Sequence, residues 1–189
     1  MTRQTILIIR HGEKPGNGGA SGVDAAGNPD AKSLTPLGWE RAGAWTALFA
    51  PPMGPPTVLP QPTAIFASAL ARREDLEKGV GGRSRRPLET VAGLAARLGL
   101  EVDQHLTKGQ ERDLASVLAR IDGVALVCWQ HETIAAIVRA LAPDARVPET
   151  WPGDRFNVIF RLERSDRTAA WTFRQLAPVM LAGDKPDPL

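Results

Sequence analysis

The 189-residue chain contains no tyrosine, one cysteine (Cys128) and three histidines, His11, His105 and His131. A lone cysteine excludes an internal disulfide and any multi-cysteine zinc site, and it fits a reducing compartment. The same scarcity explains a charge oddity. The 23 Lys+Arg and 21 Asp+Glu leave a formal charge of only +2, yet the isoelectric point is about 9.0. With few groups titrating between neutrality and the lysines, a small surplus survives to high pH. The basic value therefore gives no support to nucleic-acid binding, and aromatic and basic residues do not interleave on any one element. Long hydrophobic runs are missing too. Ile6 to Ile9 is ended by Arg10, too short for the core of a signal peptide, and no run approaches the roughly 18 residues of a membrane span. The expectation is a cytoplasmic protein with neither membrane nor nucleic acid as partner.

A composition of 43% hydrophobic and 23% charged residues suits one globular domain over residues 1–189. Thr5 to Ile9 is a continuous β-branched and apolar run, the pattern of a strand covered on both faces. Residues 10–33 lack periodicity and read as a long loop, a length usually kept for function. Thr35-Pro36 then caps a helix with Leu37, Ala44, Trp45 and Leu48 on one face. Prolines 51, 52, 55, 56, 60 and 62 make 50–63 a connector. Ala64 to Ser68 is a short strand, 69–85 a charged, glycine-containing insertion, and Pro87 opens a helix that Gly99 stops. A weak strand near 100–106 precedes a helix with Leu114, Val117, Leu118 and Ile121. Val124 to Trp129 is a second buried strand, and Ile134, Ile137, Val138 and Leu141 mark an amphipathic helix. Two late strands are expected at 157–162 and 169–173. Strands alternating with helices predict an α/β three-layer sandwich, a mostly parallel central sheet with helices on both faces.

In such a sheet, ligands bind beyond the carboxyl ends of the strands. Arg10 and His11 follow the first strand directly, Gln130 and His131 follow the Val124 strand, and the Ala64 strand ends in Ser68. Two of the three histidines thus occupy equivalent exits, whereas His105 has no such context. A metal site would want a third ligand at sensible spacing, and no short ligand cluster such as His-Glu-x-x-His occurs. A nucleophilic serine would want a Gly-x-Ser-x-Gly elbow, which is also missing. Phosphoryl transfer, with a histidine nucleophile and arginines on the phosphate oxygens, uses the residues present.

Arg10-His11-Gly12-Glu13, with Asn17 six residues beyond His11, resembles the signature of the histidine phosphatase superfamily, which includes the phosphoglycerate mutases and acid phosphatases. Leu34-Thr35-Pro36-Leu37-Gly38 is similar to that family's Leu-Thr-x-x-Gly helix start, and Arg86-Pro87-Leu88-Glu89-Thr90 to its Arg-x-x-x-Thr helix start. His131 after an apolar strand completes the order. The resemblance implies that His11 is the nucleophile, that Arg10, Arg86 and a charged His131 bind the transferring phosphoryl group, and that Glu13 and Asn17 lie on the substrate side. It implies a hydrolase that passes through phosphohistidine and needs no metal or cofactor. Its partner is a small phosphorylated substrate or a phosphoprotein.

Three points stay open at this level. Arg72 stands four residues after Ser68, the spacing often seen for the pocket arginine, but Arg86 is favoured because a helix anchors its backbone. The proton donor is Glu132, Glu13 or Glu111. The activity is hydrolysis in the first instance, since the tail after the last strand offers no clear lid for a mutase-like phosphotransferase; a weakly active phosphate-binding module is the other alternative. Residues 72–86 carry six basic and three acidic groups, a local +3 that exceeds the surplus of the whole chain. A positive rim beside the phosphate pocket is the expectation.

Overall fold

Seven consecutive buried residues, Gln4–Arg10, form β1. This strand is buried on both faces because it lies inside the sheet, between parallel β4 (Gly123–Trp129) and antiparallel β5 (Ile159–Arg164). The computed structural model describes residues 3–16, 19–53 and 59–189; Pro55 and Pro56 of the connector lie outside them. Beyond β4 come β2 (Ala64–Ala67) and β3 (Val102–Asp103), both parallel, and beyond β5 comes antiparallel β6 (Thr172–Leu176). The six-stranded order is β3-β2-β4-β1-β5-β6.

Helices α1 (Pro36–Phe49) and α3 (Arg86–Leu98) cover one face. Their Trp45, Phe49, Val91 and Leu94 pack on Leu7, Ile9, Leu126 and Cys128. Helices α4 (Glu111–Leu118) and α5 (His131–Leu141) cover the other, with Leu114, Leu118, Ile134 and Val138 against Ile6, Ile8 and Val127. Each such fully buried side chain stabilises by about 1.5–3 kcal/mol, so the two layers dominate the folding energy. The architecture is the expected α/β three-layer sandwich, with the parallel pairings on the β4 side of β1.

The boundaries differ from expectation where side chains take backbone partners. The late strands begin later than predicted. Asn157 spends its amide on the carbonyls of Pro178 and Lys185 at 3.0 and 2.8 Å, and Asp166 collects the backbone N–H groups of Thr168 and Ala169 into a turn. The 100–106 strand shrinks to β3 because Asp103 Oδ1 accepts from the backbone N–H of His105, a side-chain competitor for the ladder. The insertion contains a short helix, α2 (Arg73–Glu77), whose start is closed by Arg72 N–H donating to Asp75 Oδ2.

The Thr35 cap forms as predicted, its Oγ1 accepting from Gly38 N–H at 3.2 Å. The same residue donates its backbone N–H to Glu13 O at 3.0 Å, which lays the first turn of α1 against the chain just after His11. A Cβ on Gly38 would stand 2.6 Å from Glu13 O, and one on Gly12 would stand 2.9 Å from Gly38 O. Both glycines therefore serve close backbone approach. Gly38→Ala is expected to destabilise the domain by about 1–3 kcal/mol, read as a lower urea midpoint at unchanged slope.

Candidate active site

Register builds the site. Arg10 pairs with Trp129 across the parallel β1–β4 ladder, and His11 N–H extends it by donating to Trp129 O at 3.3 Å. His11 and the first residue of α5, His131, consequently leave the sheet side by side. Their ring centroids are 6.3 Å apart and the rings nearly perpendicular.

His11 is buried, and its Nδ1 lies 2.7 Å from Gly12 O. A carbonyl only accepts, so Nδ1 carries the proton and Nε2 presents the lone pair. Burial pushes the ring down to about 3, assisted by the charges of Arg10 and Arg86 and opposed by the Gly12 bond. The imidazole is neutral throughout the working pH range, which a nucleophile requires. Gly12 is itself held: its N–H donates to Thr90 Oγ1 at 2.9 Å, and that hydroxyl donates to Arg86 O at 2.7 Å. The Arg-x-x-x-Thr motif thus positions the backbone next to His11 as well as an arginine.

Arg10 has no exposed surface. Its Nη1 donates to the carbonyls of Pro152, Gly153 and Arg155 at 3.0, 3.2 and 3.0 Å, and its guanidinium lies 3.9 Å from the centroid of the Phe156 ring. Nε and Nη2 have no partner among the described residues. Burial lowers Arg10 to about 10, with Glu132 and Glu13 pulling the other way, so it stays charged at neutral pH. Two fully buried cationic nitrogens, with three N–H groups between them and no acceptor, are costly, about 1–3 kcal/mol for each unmet group by the measure of neutral groups and more for charged ones.

Arg86 stands half-buried at the start of α3, with Nε donating to Ser33 O at 3.0 Å, Nη1 to Ser84 Oγ at 3.3 Å and Nη2 to Ala31 O. These three bonds pin the 31–33 loop and leave two of the five guanidinium N–H groups uncommitted. Arg72 is 82% exposed in its side chain and reaches only Glu74, at 3.8 Å. The structure brings Arg86, and not Arg72, towards His11. His131 differs from expectation. Burial, with Arg10, pushes it down to about 4 against the pull of Glu132. It is neutral at pH 7 as the pocket stands. Its Nδ1 is 3.3 Å from Glu132 Oε2 but not aligned for a hydrogen bond.

A solved structure titled "Structure of the protein histidine phosphatase SixA complexed with tungstate" matches 92% of this chain and 96% of that one, with a TM-score of 0.57 and 16% identity. The chain has the histidine phosphatase fold. No protein-family model matches the sequence, and no curated protein matches it either.

On this fold the three glutamates separate. Glu111 is committed to packing: its Oε1 accepts from Trp129 Nε1 at 2.9 Å and Gly109 N–H at 3.0 Å, and these bonds hold its carboxyl low against burial. Glu13 is committed to a buried ion cluster. Its Oε1 accepts from Arg41 Nε at 2.7 Å, and the two Nη atoms of Arg41 grip Asp184 at 3.1 and 2.8 Å. Burial raises Glu13 in spite of Arg41. Only Glu132 stands at the mouth, 48% exposed, with Lys108 Nζ at 3.8 Å. Burial pulls its carboxyl up, but its own backbone N–H, His131 and Lys108 outweigh that and hold it low. Asn17 lies outside the described residues. The predicted positive rim is partly neutralised within itself, since Arg73 meets Glu77 at 3.1 Å and Arg85 meets Asp30 at 3.6 Å.

Sequence reasoning missed the 152–156 turn that carries Arg10, and it missed Arg41 and Asp184. Arg41 did leave a signal: it falls four residues before Trp45, on the buried face of α1, where an unpaired charge would be prohibitive, whereas Leu37, expected on that face, is 47% exposed. Nothing local marks Asp184, in the tail that had offered no clear role. That tail braces the site. Asp184 also accepts from the backbone N–H groups of Met180 and Leu181, and Arg155 reaches the carbonyls of Lys185 and Asp187.

Two outcomes follow. Asp184→Asn leaves Arg41 underpaired in a buried site and should cost about 3 kcal/mol in denaturant unfolding. The second concerns pH. His11 has a folded value of about 3 and an ordinary value of 6.5, so the unfolded chain binds one more proton between them. Stability should therefore fall as pH drops below about 6.5, by about 1.4 kcal/mol per pH unit for this residue. His11→Asn should flatten the measured slope between pH 6 and 4.5.

Proposed function

We propose that this protein is a phosphatase that transfers a phosphoryl group to Nε2 of His11 and then to water. The observation that carries the reading is the fully buried Arg10, whose Nε and Nη2, unpartnered among the described residues, belong to the residue next to a histidine locked with its lone pair on Nε2. The likeness in fold to a protein histidine phosphatase that was solved with tungstate, a tetrahedral oxyanion, supports it.

In the first step the His11 Nε2 lone pair forms the N–P bond while the bond from phosphorus to the leaving group breaks, and that electron pair departs with the leaving group. Arg10 and Arg86 neutralise the equatorial oxygens, the electrostatic contribution that usually dominates phosphoryl transfer. A bound dianion places opposite charge beside His131 and raises its proton affinity. His131 then takes up a proton and joins the arginines as a charged partner of the phosphoryl group. In the second step water attacks phosphorus, the N–P bond breaks, and His11 is regenerated. Asn17 and Glu13 belong to the substrate side in this reading, Glu13 through its place beside the nucleophile.

Glu132 is the carboxyl placed to exchange a proton with the leaving group. Because its carboxyl is held low, it is mostly ionised at neutral pH and acts as a weak donor there. Leaving groups that depart without strong acid assistance are favoured, which places phosphohistidine and aryl esters ahead of alkyl phosphomonoesters. The substrate is a phosphomonoester or the phosphohistidine of a protein, and the reaction uses no metal or cofactor.

An aryl phosphate assay tests this. His11→Ala should lower kcat by about a thousandfold or more, Arg10→Lys should lower kcat/KM by about a hundredfold, and a chelator should leave the rate unchanged. Rapid quench should trap label on His11 in an acid-labile, alkali-stable bond. Turnover that survives His11→Ala would refute the nucleophile, and loss to the chelator would refute metal-free chemistry. Phosphate binding without turnover of any ester would leave a binding module.

A further inference from the structure

Beside His131 lies a cavity of about 290 Å3, walled by Trp151, Phe160 and Ala135 and by the carboxylates Glu132 and Glu149. Its size suits one ring or one short side chain and not a larger group. Trp151 is fixed as a flat wall: its Nε1 donates to Arg155 O at 2.7 Å, and its ring lies 4.8 Å from that of Phe160. Trp151 and the Arg10 cradle therefore hang from the same 151–156 turn.

The charge of the lining is one-sided. Glu132 and Glu149 are its acidic side chains; His131, the one basic group in the lining, is matched by the phosphoryl dianion when it takes up a proton, so the carboxylates set the charge that a leaving group meets. Lys108 meets Glu132 at the rim, and the charge of Lys14 also reaches His131, but neither lines the cavity. Among the described residues Glu149 has no ion-pair partner. The site thus divides by sign, with arginines around the phosphoryl position and carboxylates with an indole around the adjoining space.

We infer that this cavity receives the leaving group and selects one that is compact, flat and positively charged or rich in N–H donors, an imidazole or amine in chemical class. The inference rests on the phosphatase reading of the same site. An indole face attracts a cation, and two carboxylates add charge complementarity. A leaving group bearing a carboxylate, such as a phosphorylated hydroxy acid, meets like charge instead, which sets this site apart from mutase-like chemistry on such a substrate. Glu149 and Trp151 are the specificity-determining residues.

Two esters of matched shape test this, 4-(aminomethyl)phenyl phosphate and 4-(carboxymethyl)phenyl phosphate. The cationic ester should be favoured in kcat/KM by about tenfold or more. Glu149→Gln should shrink the ratio and Glu149→Lys should bring it near or below one; residue 149 is exposed, so both variants should fold. Equal use of the two esters, preference for the anionic one, or a ratio untouched by Glu149→Lys would overturn the inference. If neither ester turns over, the phosphatase reading fails, and the ratio is then read as Kd by calorimetry on the same protein with the same criteria. Free N-phosphohistidine and a peptide containing it distinguish a small-molecule source from a protein side chain.

Discussion

The interaction on which the rest depends is the suspension of Arg10. A guanidinium at the end of a central strand, with no exposed surface, would be prohibitive unless its hydrogen bonds were arranged for it. Three carbonyls of one turn take Nη1, and the Phe156 ring lies against the guanidinium. Those contacts hold the planar fork still while Nε and Nη2 stay unpartnered among the described residues. Anchorage and unmet demand on one side chain make an anion site preorganised.

Holding the turn in place then becomes a problem of its own, and the tail solves it. Arg155, whose carbonyl receives Arg10, has its own guanidinium on the carbonyls of Lys185 and Asp187. Asn157 reaches Pro178 and Lys185. Arg41 joins the tail through Asp184 to Glu13, two residues past the nucleophile. Both walls of the pocket, the His11 loop and the 152–156 turn, are thereby tied to one short segment. This arrangement also accounts for a buried ion cluster that contributes little net stability: its return is the fixed position of two loops.

Much of this was legible and some was not, for identifiable reasons. The strand exits were readable because a doubly covered strand leaves a continuous apolar run, and Ile9-Arg10-His11 marks where it stops. The Thr35 cap was written in local sequence, and so was the helix that anchors Arg86; the close backbone approach at Gly12 and Gly38 shows only where α1 lies against the His11 loop. The turn at 152–156 was illegible because Trp151-Pro152-Gly153 announces a turn without saying what its carbonyls face. Asp184 was illegible because its partner Arg41 is 143 residues away. The charge state of His131 without a ligand is set by its surroundings. Residue type says that a histidine can be charged, but only burial beside Arg10 decides that it is not until an anion arrives.

That point bears on how the site handles charge through a turnover. In the unliganded pocket both histidines are neutral and the arginines carry the positive charge, so the site avoids stacking further cations in a desolvated space. An incoming phosphate dianion reverses the balance and makes protonation of His131 favourable, since each added negative charge raises the affinity of nearby bases. His11 stays neutral for a separate reason: burial disfavours a charged ring, and its one proton sits on Nδ1 against Gly12 O, which leaves the Nε2 lone pair free. Two chemically identical side chains 6.3 Å apart are thus driven to opposite tasks by their partners alone. In the proposed reaction one keeps its lone pair for attack, and the other takes up a proton to meet the charge of the phosphoryl group. The protonic asymmetry follows from where β1 and β4 end, because that register puts one ring under a backbone carbonyl and the other at the first turn of a helix.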